Sequence, residues 1–274
     1  MPSWTVTGPQ KLVLDEPVTR LEVVLFGGRL NVVGTDGPPR VEVGTASELP
    51  VVVTLTDGRL EIRHESPKTW PGPLKPLWWW LLGIRKVAVQ VSVAVPYDTA
   101  AHLTLTSGPV VVSSTRGELT VDCTSGRVAL LGVAGRIRAK VVSGPIEALG
   151  CAGELSVETV SGEITIADTA VHRLAAKTVS GALTADLDNP PHDSDLRLDT
   201  ISGEITVRVR EDSDLEVRLA AIGGRVSCDF PELYRSGHSA LSGRLGKGTG
   251  RLVANAVSGH VALLRRPVDE EFES

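Results

Sequence analysis

Apolar and polar residues alternate in short runs along this chain, and glycine spaces the runs. A glycine stands every nine residues, at Gly108, Gly117, Gly126, Gly135, Gly144, Gly153 and Gly162. Two and four residues after each comes an apolar pair: Val110/Val112, Leu119/Val121, Val128/Leu130, Ile137/Ala139, Ile146/Ala148, Leu155/Val157 and Ile164/Ile166. Alternation with a period of two describes a strand that buries one face. Every second glycine follows a serine, namely Ser107, Ser125, Ser143 and Ser161, whereas the others follow Arg116, Ala134 and Ala152. The unit is therefore 18 residues in two unlike halves. Glycine supplies the positive φ of a tight corner, and the serine hydroxyl can bond backbone there. Each unit reads as strand, corner, strand, corner.

Stacked units of this kind pair each strand in parallel with its counterpart one unit later, about 4.8 Å away. The expected fold is all-β: a single-stranded parallel β-helix, or β-solenoid, with about 18 residues per coil and an aliphatic interior. One coil alone cannot offset its ordering entropy, so the coils must fold as a set. After Gly162 the motif returns at Ser180-Gly181, Ser202-Gly203, Gly223-Gly224 and Ser258-Gly259, with inward pairs Leu183/Ala185, Ile205/Val207, Val226/Cys228 and Val261/Leu263. The added residues fall at corners, and 229–250 is the largest insertion. Repeats thus occupy 106–266. Residues 1–105 form an irregular β region that continues and caps the solenoid, with a hairpin over 51–63 turning at Asp57-Gly58 and a buried strand over 86–95. Residues 267–274 are an acidic, disordered tail.

Net charge is −5 over 274 residues, with no basic block, so nucleic acid is not an expected partner. Residues 1–24 lack a charged start followed by an apolar stretch, which argues against a signal peptide and predicts a cytoplasmic protein, peripheral to the membrane where it meets one. Cys123, Cys151 and Cys228 are odd in number and have no CxxC spacing. They read as reduced, mostly buried thiols, with Cys123 and Cys228 on inward positions. Glu118, Arg136, Glu154 and Arg173 alternate in sign on successive rungs, as a ladder that fixes register.

No motif carries catalysis. The six histidines show no metal-ligand spacing, and no nucleophile elbow, zinc-protease or phosphate-loop pattern is present. The chain is expected to be no enzyme, with no catalytic, cofactor or metal residues. Two segments exceed what a scaffold requires. The loop 186–195 gathers Asp186, Asp188, Asp193 and Asp195 with His192. Its spacing matches no calcium motif, and it reads first as a solvated loop with Asx turns and second as a glycan or metal site. The segment 70–86 holds four of the five tryptophans, and no acidic residue occurs from Ser66 to Tyr97. Its apolar run, 77–84, is far short of the roughly 20 residues that span a bilayer. Trp70, Lys75, Trp78, Trp79, Trp80, Arg85 and Lys86 suit either a cap over the solenoid's open end or an interfacial contact with a membrane or protein.

The corners at 106–108, 124–126, 142–144, 160–162, 179–181, 201–203 and 257–259 all read TSG, VSG or ISG. In this the chain resembles a bacterial β-strand-repeat family labelled "putative adhesin", a domain of unknown function. The ending Val257-Ser258-Gly259-His260-Val261-Ala262-Leu263-Leu264-Arg265-Arg266, with Asp36-Gly37 and Pro96-Tyr97-Asp98, resembles its actinobacterial branch. The resemblance implies a right-handed winding and no catalytic residues. Together these readings predict a non-enzymatic, adhesin-like scaffold that meets a protein partner or membrane surface through the tryptophan-rich loop, the solenoid faces, or both. The alternative is a carbohydrate-binding adhesin or β-helix enzyme that uses the 186–195 loop.

Overall fold

A computed structural model of the chain describes residues 3–44, 50–65, 89–188 and 193–267, and the apolar alternation is realised there as strands with no helix. The strands form two walls around an aliphatic interior. Ala100–Ser107, Leu119–Ser125, Ala134–Ser143 and Ala152–Ser161 lie side by side in the first wall; Val110–Ser113, Val128–Leu131 and Ile146–Leu149 do so in the second. All these pairings are parallel. Leu119 aligns with Ile137 and Ile137 with Leu155, while Val110, Val128, Ile146 and Ile164 align in turn. Strand Ile164–Ser180 belongs to both walls and rounds the corner at Asp168, whose φ is 51°. Inward residues of both walls, such as Leu130, Ile137, Ile146 and Leu155, are at most 2% exposed and belong to one continuous apolar cluster.

The rungs do not stack in chain order at the ends. Sequential winding would place the 223–224 corner next to Gly203. Instead Asp195–Ser202 pairs with Gly250–Ser258, which pairs on its other side with Leu215–Ala221. In the second wall, Val261–Arg266 likewise lies between Ile205–Arg210 and Val226–Cys228. The last coil is thus inserted under the one before it. The other end shows the same device: Arg20–Leu25 lies between Ala100–Ser107 and Arg59–His64, and Gly28–Gly34 between Val110–Ser113 and Val89–Val95.

Beyond the outermost parallel rungs the pairing turns antiparallel. Val51–Thr56 folds back on Arg59–His64 through a two-residue turn at Asp57 (φ 49°) and Gly58 (φ 75°), the hairpin expected there. Ser3–Val6 then joins Val51–Thr56, and Gln10–Val13 joins Arg40–Val43 on Val89–Val95. At the far end Ala240–Leu245 and Tyr234–Ser236 cover Leu215–Ala221. Short antiparallel strands end a stack that would otherwise present long free edges.

The charge ladder forms as its spacing predicts, with one change. Arg136 and Arg173 bracket Glu154, each at 3.1 Å, whereas Glu118 meets Arg138 at 3.5 Å rather than Arg136. All three cysteines are free. Cys123 and Cys151 are buried, but Cys228 is only half-buried, because its strand lies at the end of the stack.

His64 is buried where the first wall meets its N-terminal corner. Its Nδ1 accepts the Phe26 N–H at 3.2 Å, and the two rings stack with centroids 5.7 Å apart. Burial holds its pKa below the ordinary imidazole value. A lowered folded value means that the unfolded chain takes up the proton first. The His64 contribution to stability is therefore level above about pH 6.5 and is lost as pH falls from there through the folded value. Urea unfolding between about pH 7.5 and about pH 5 should show wild type losing more stability than His64→Phe. Parallel acid limbs in the two proteins would rule this out.

Candidate binding groove

Where each strand of the first wall reaches its Ser-Gly corner, the alternation breaks. In Leu119–Ser125 the burial runs inward at Leu119, Val121 and Cys123, after which Thr124 and Ser125 are both exposed. The same break recurs at Val142-Ser143, Val160-Ser161, Val179-Ser180, Ile201-Ser202 and Val257-Ser258. Glycine then turns the chain, and for a reason beyond its φ. A Cβ built on Gly144 (φ +139°) would stand 2.1 Å from the Gly126 carbonyl oxygen, and one on Gly162 would meet Gly144 at the same distance. The corners stack backbone on backbone.

Stacking turns these exposed residues into columns. Val142, Val160, Val179, Ile201 and Val257 are 43–53% exposed and form one apolar rim along the corner. Two residues earlier in each strand runs a polar rail: Thr104, Asp122, Lys140, Glu158, Lys177, Asp199 and Asn255 are successive register partners. Lys140 Nζ lies 3.2 Å from Glu158 Oε2, and Asn255 Nδ2 donates to Asp199 Oδ1 at 2.8 Å. Between rim and rail lies a groove of about 730 Å³.

Its floor is Leu105, Cys123, Val141, Thr159, Thr178 and Thr200. The Thr159 and Thr178 hydroxyls donate to the Gly144 and Gly162 carbonyls at 3.3 and 3.4 Å, spending their polarity inside the corner. The groove can therefore hold an apolar or amphipathic surface across several rungs. Nothing in its floor is poised for attack. Burial pushes the Cys123 thiol up, opposite to what an activated nucleophile needs, and it does the same at Cys151 and Cys228.

The acidic loop does not gather its carboxylates. Arg208 Nε donates to Asp186 Oδ1 at 2.9 Å, and this bond, aided by Arg266, holds the Asp186 carboxyl below the usual carboxylate range. Arg266 also reaches Asp188 at 3.9 Å and Asp168 at 3.7 Å. Asp193 is exposed in a turn, and Asp195 begins the strand beside Arg173 in the other wall. No group of three or more His, Cys, Asp or Glu side chains among the described residues is placed to hold a metal ion. His192 lies outside the described residues.

The same is true of Trp70, Lys75, Trp78, Trp79, Trp80, Arg85 and Lys86. The described strand ends on either side of that segment, His64 and Val89, stand on the groove's own corner. His64 stacks on Phe26, and a Cβ on Gly28 would meet the Val89 carbonyl at 2.0 Å. The rim itself was readable as the apolar residue of each VSG or ISG triplet, but its outward position becomes informative only once the rungs are stacked.

No curated protein matches the chain. Among solved structures it is similar to a "putative adhesin" from Bacteroides fragilis NCTC 9343, with 11% identity over 96% of this chain and 97% of that chain and a TM-score of 0.47. It is also similar to a "putative cell adhesion protein" from Clostridium sporogenes ATCC 15579, with 13% identity over 94% and 100% of the two chains and a TM-score of 0.28. A third, a "putative lipid binding protein" from Parabacteroides distasonis ATCC 8503, shares 10% identity over 94% and 97% with a TM-score of 0.38. The model of the Toastrack DUF4097 family matches residues 43–264, the greater part of the chain, and with its stacked strands and Ser-Gly corners this protein belongs to that family.

Proposed function

We propose that this chain is a non-enzymatic, adhesin-like β-solenoid scaffold whose corner groove contacts a partner or a membrane surface. The observation that carries the reading is the rim, five β-branched apolar side chains in line and each about half exposed. Isolated surface valines mean little, but an aligned apolar strip beside a groove marks a contact site. We take the tryptophan-rich segment as part of the same contact face, since the described strand ends that flank it, His64 and Val89, lie at this corner. We take the repeating register as right-handed coils of 18 residues, with residues 1–105 continuing and capping the solenoid, in a cytoplasmic protein peripheral to the membrane. The glycan alternative draws less support, because arginines already occupy Asp186 and Asp188.

Val142→Thr/Val160→Thr/Val179→Thr copies the threonines that Thr106 and Thr124 place at equivalent corners, so its fold should hold within about 0.5 kcal/mol per site. On native gels of clarified lysate, wild type should run in a larger assembly or partition with membranes, and the triple variant should lose both behaviours. Trp78→Ser/Trp79→Ser/Trp80→Ser tests whether the neighbouring segment belongs to the same face. Identical migration and partition of wild type and both variants would end the proposal.

A further inference from the structure

Resting on the reading of the groove as a contact surface, we infer that its occupant is a second copy of this chain, docked with its solenoid axis reversed. A two-fold axis perpendicular to the solenoid lays rail on rail and rim on rim, each in opposite order, and so makes a closed, self-complementary contact. The rail alternates in sign along Asp122, Lys140, Glu158, Lys177 and Asp199. Reversal about the midpoint of Glu158 and Lys177 sets Glu158 opposite Lys177 of the second copy, and Lys140 opposite Asp199 of the second copy. With their symmetry mates, every one of these contacts joins opposite charges. Docking rail on rail about a two-fold axis parallel to the solenoid keeps the rungs in register and sets each charge against its like, which suppresses that arrangement.

The rim is compatible with the same midpoint. There Val160 meets Val179 of the second copy and Val142 meets Ile201, so exposed apolar residues cover one another. Moving the midpoint one rung toward Asp122 keeps opposite charges facing but sets Thr124 against Val179 and Thr106 against Ile201. Moving it one rung the other way keeps Lys177 against Asp199 and the rim apolar but sets Glu158 against the neutral Asn255, so the Glu158/Lys177 midpoint keeps more opposite-charge contacts. The groove crosses seven rungs, a strip roughly 29 Å long at about 4.8 Å per rung. A strip this narrow falls at the low end of interface sizes, so the pair forms in a concentration-dependent way.

Sedimentation of the purified chain from about 1 to about 300 µM should show dimer growing with concentration and weakening with salt. Lys140→Glu should raise the dissociation constant roughly tenfold or more, because it faces Asp199 of the second copy with a like charge. Asp199→Lys should do the same, and the two together in one chain should restore the dimer. Thermal melts follow the fold throughout. Where a charge variant lowers the melting temperature, Val160→Thr/Val179→Thr carries the test and should also give monomer. A monomer at every concentration overturns the inference, as does a dimer indifferent to all these variants. So does a chain that stays monomeric while co-sedimenting with phosphatidylcholine–phosphatidylglycerol vesicles, which would make the occupant a membrane. The broader contact reading survives the first and third outcomes if the rim variant still loses its assembly or membrane partition in lysate.

Discussion

Replacing Gly144 with alanine should lower the melting temperature by about 6–20 °C, the equivalent of roughly 3–5 kcal/mol in a domain of this size. The added methyl would lie 2.1 Å from the Gly126 carbonyl oxygen and 2.8 Å from its carbon. Those atoms are backbone with little freedom to yield, since Gly126 N–H donates to Ser143 O at 3.0 Å and Gly144 N–H to Ser161 O at 2.8 Å. Relief requires opening the stack at the corner, and the φ of +139° adds strain of its own for any L side chain. Gly132 supplies the contrast. It also has positive φ, at 60°, but nothing lies within 4 Å of its Cβ position. Gly132→Ala should therefore cost only about 1–2 kcal/mol, the left-handed penalty alone. Calorimetry of the two variants decides the point: equal losses would show that dihedral preference, not backbone contact, explains the glycine column.

The interior of this fold was legible because its signal is local and repeated. Inward pairs such as Val128/Leu130 and Ile146/Ala148 declare their face within four residues, and the nine-residue spacing declares which strands are neighbours. The end rungs gave no such signal. Every rung presents the same parallel edges, so nothing within 250–266 says that it packs on 195–210 rather than following 215–228. Hydrogen-bond geometry is equally satisfied by either order. Only the long insertion before Gly250 gives the chain the length to double back. The groove was hidden for a different reason. Val160 in isolation is an ordinary exposed valine, and its partners lie 18 or 19 residues away, where sequence reading attends to the serine and glycine of the corner. The arginines that occupy Asp186 come from even further off, since Arg266 is 80 residues along the chain.

Ending the chain after Thr249 should unfold far more than the residues removed. In a solenoid wound in order, loss of the final coil exposes one rung and leaves the rest stacked, because each rung contacts only its neighbours. Here Gly250–Ser258 and Val261–Arg266 are internal rungs, each paired on both sides. Their removal deletes Leu252, Ala254, Val261 and Leu263, all fully buried, and with them the only parallel partner of Leu215–Ala221 among the described residues. The ties from Arg266 to Asp168, Asp186 and Asp188 go as well. What remains of the coil over 215–228 keeps antiparallel partners on Leu215–Ala221 but has no interior to close against. Hydrogen exchange should then show the amides of 215–245 unprotected, with opening free energies near zero, and those of 195–210 weakened. Rungs over 110–166, several neighbours away, should keep wild-type protection. Exchange across 205–228 that matched the full-length chain would mean that the last coil lies at the end of the stack after all, and the inserted order would fall with it.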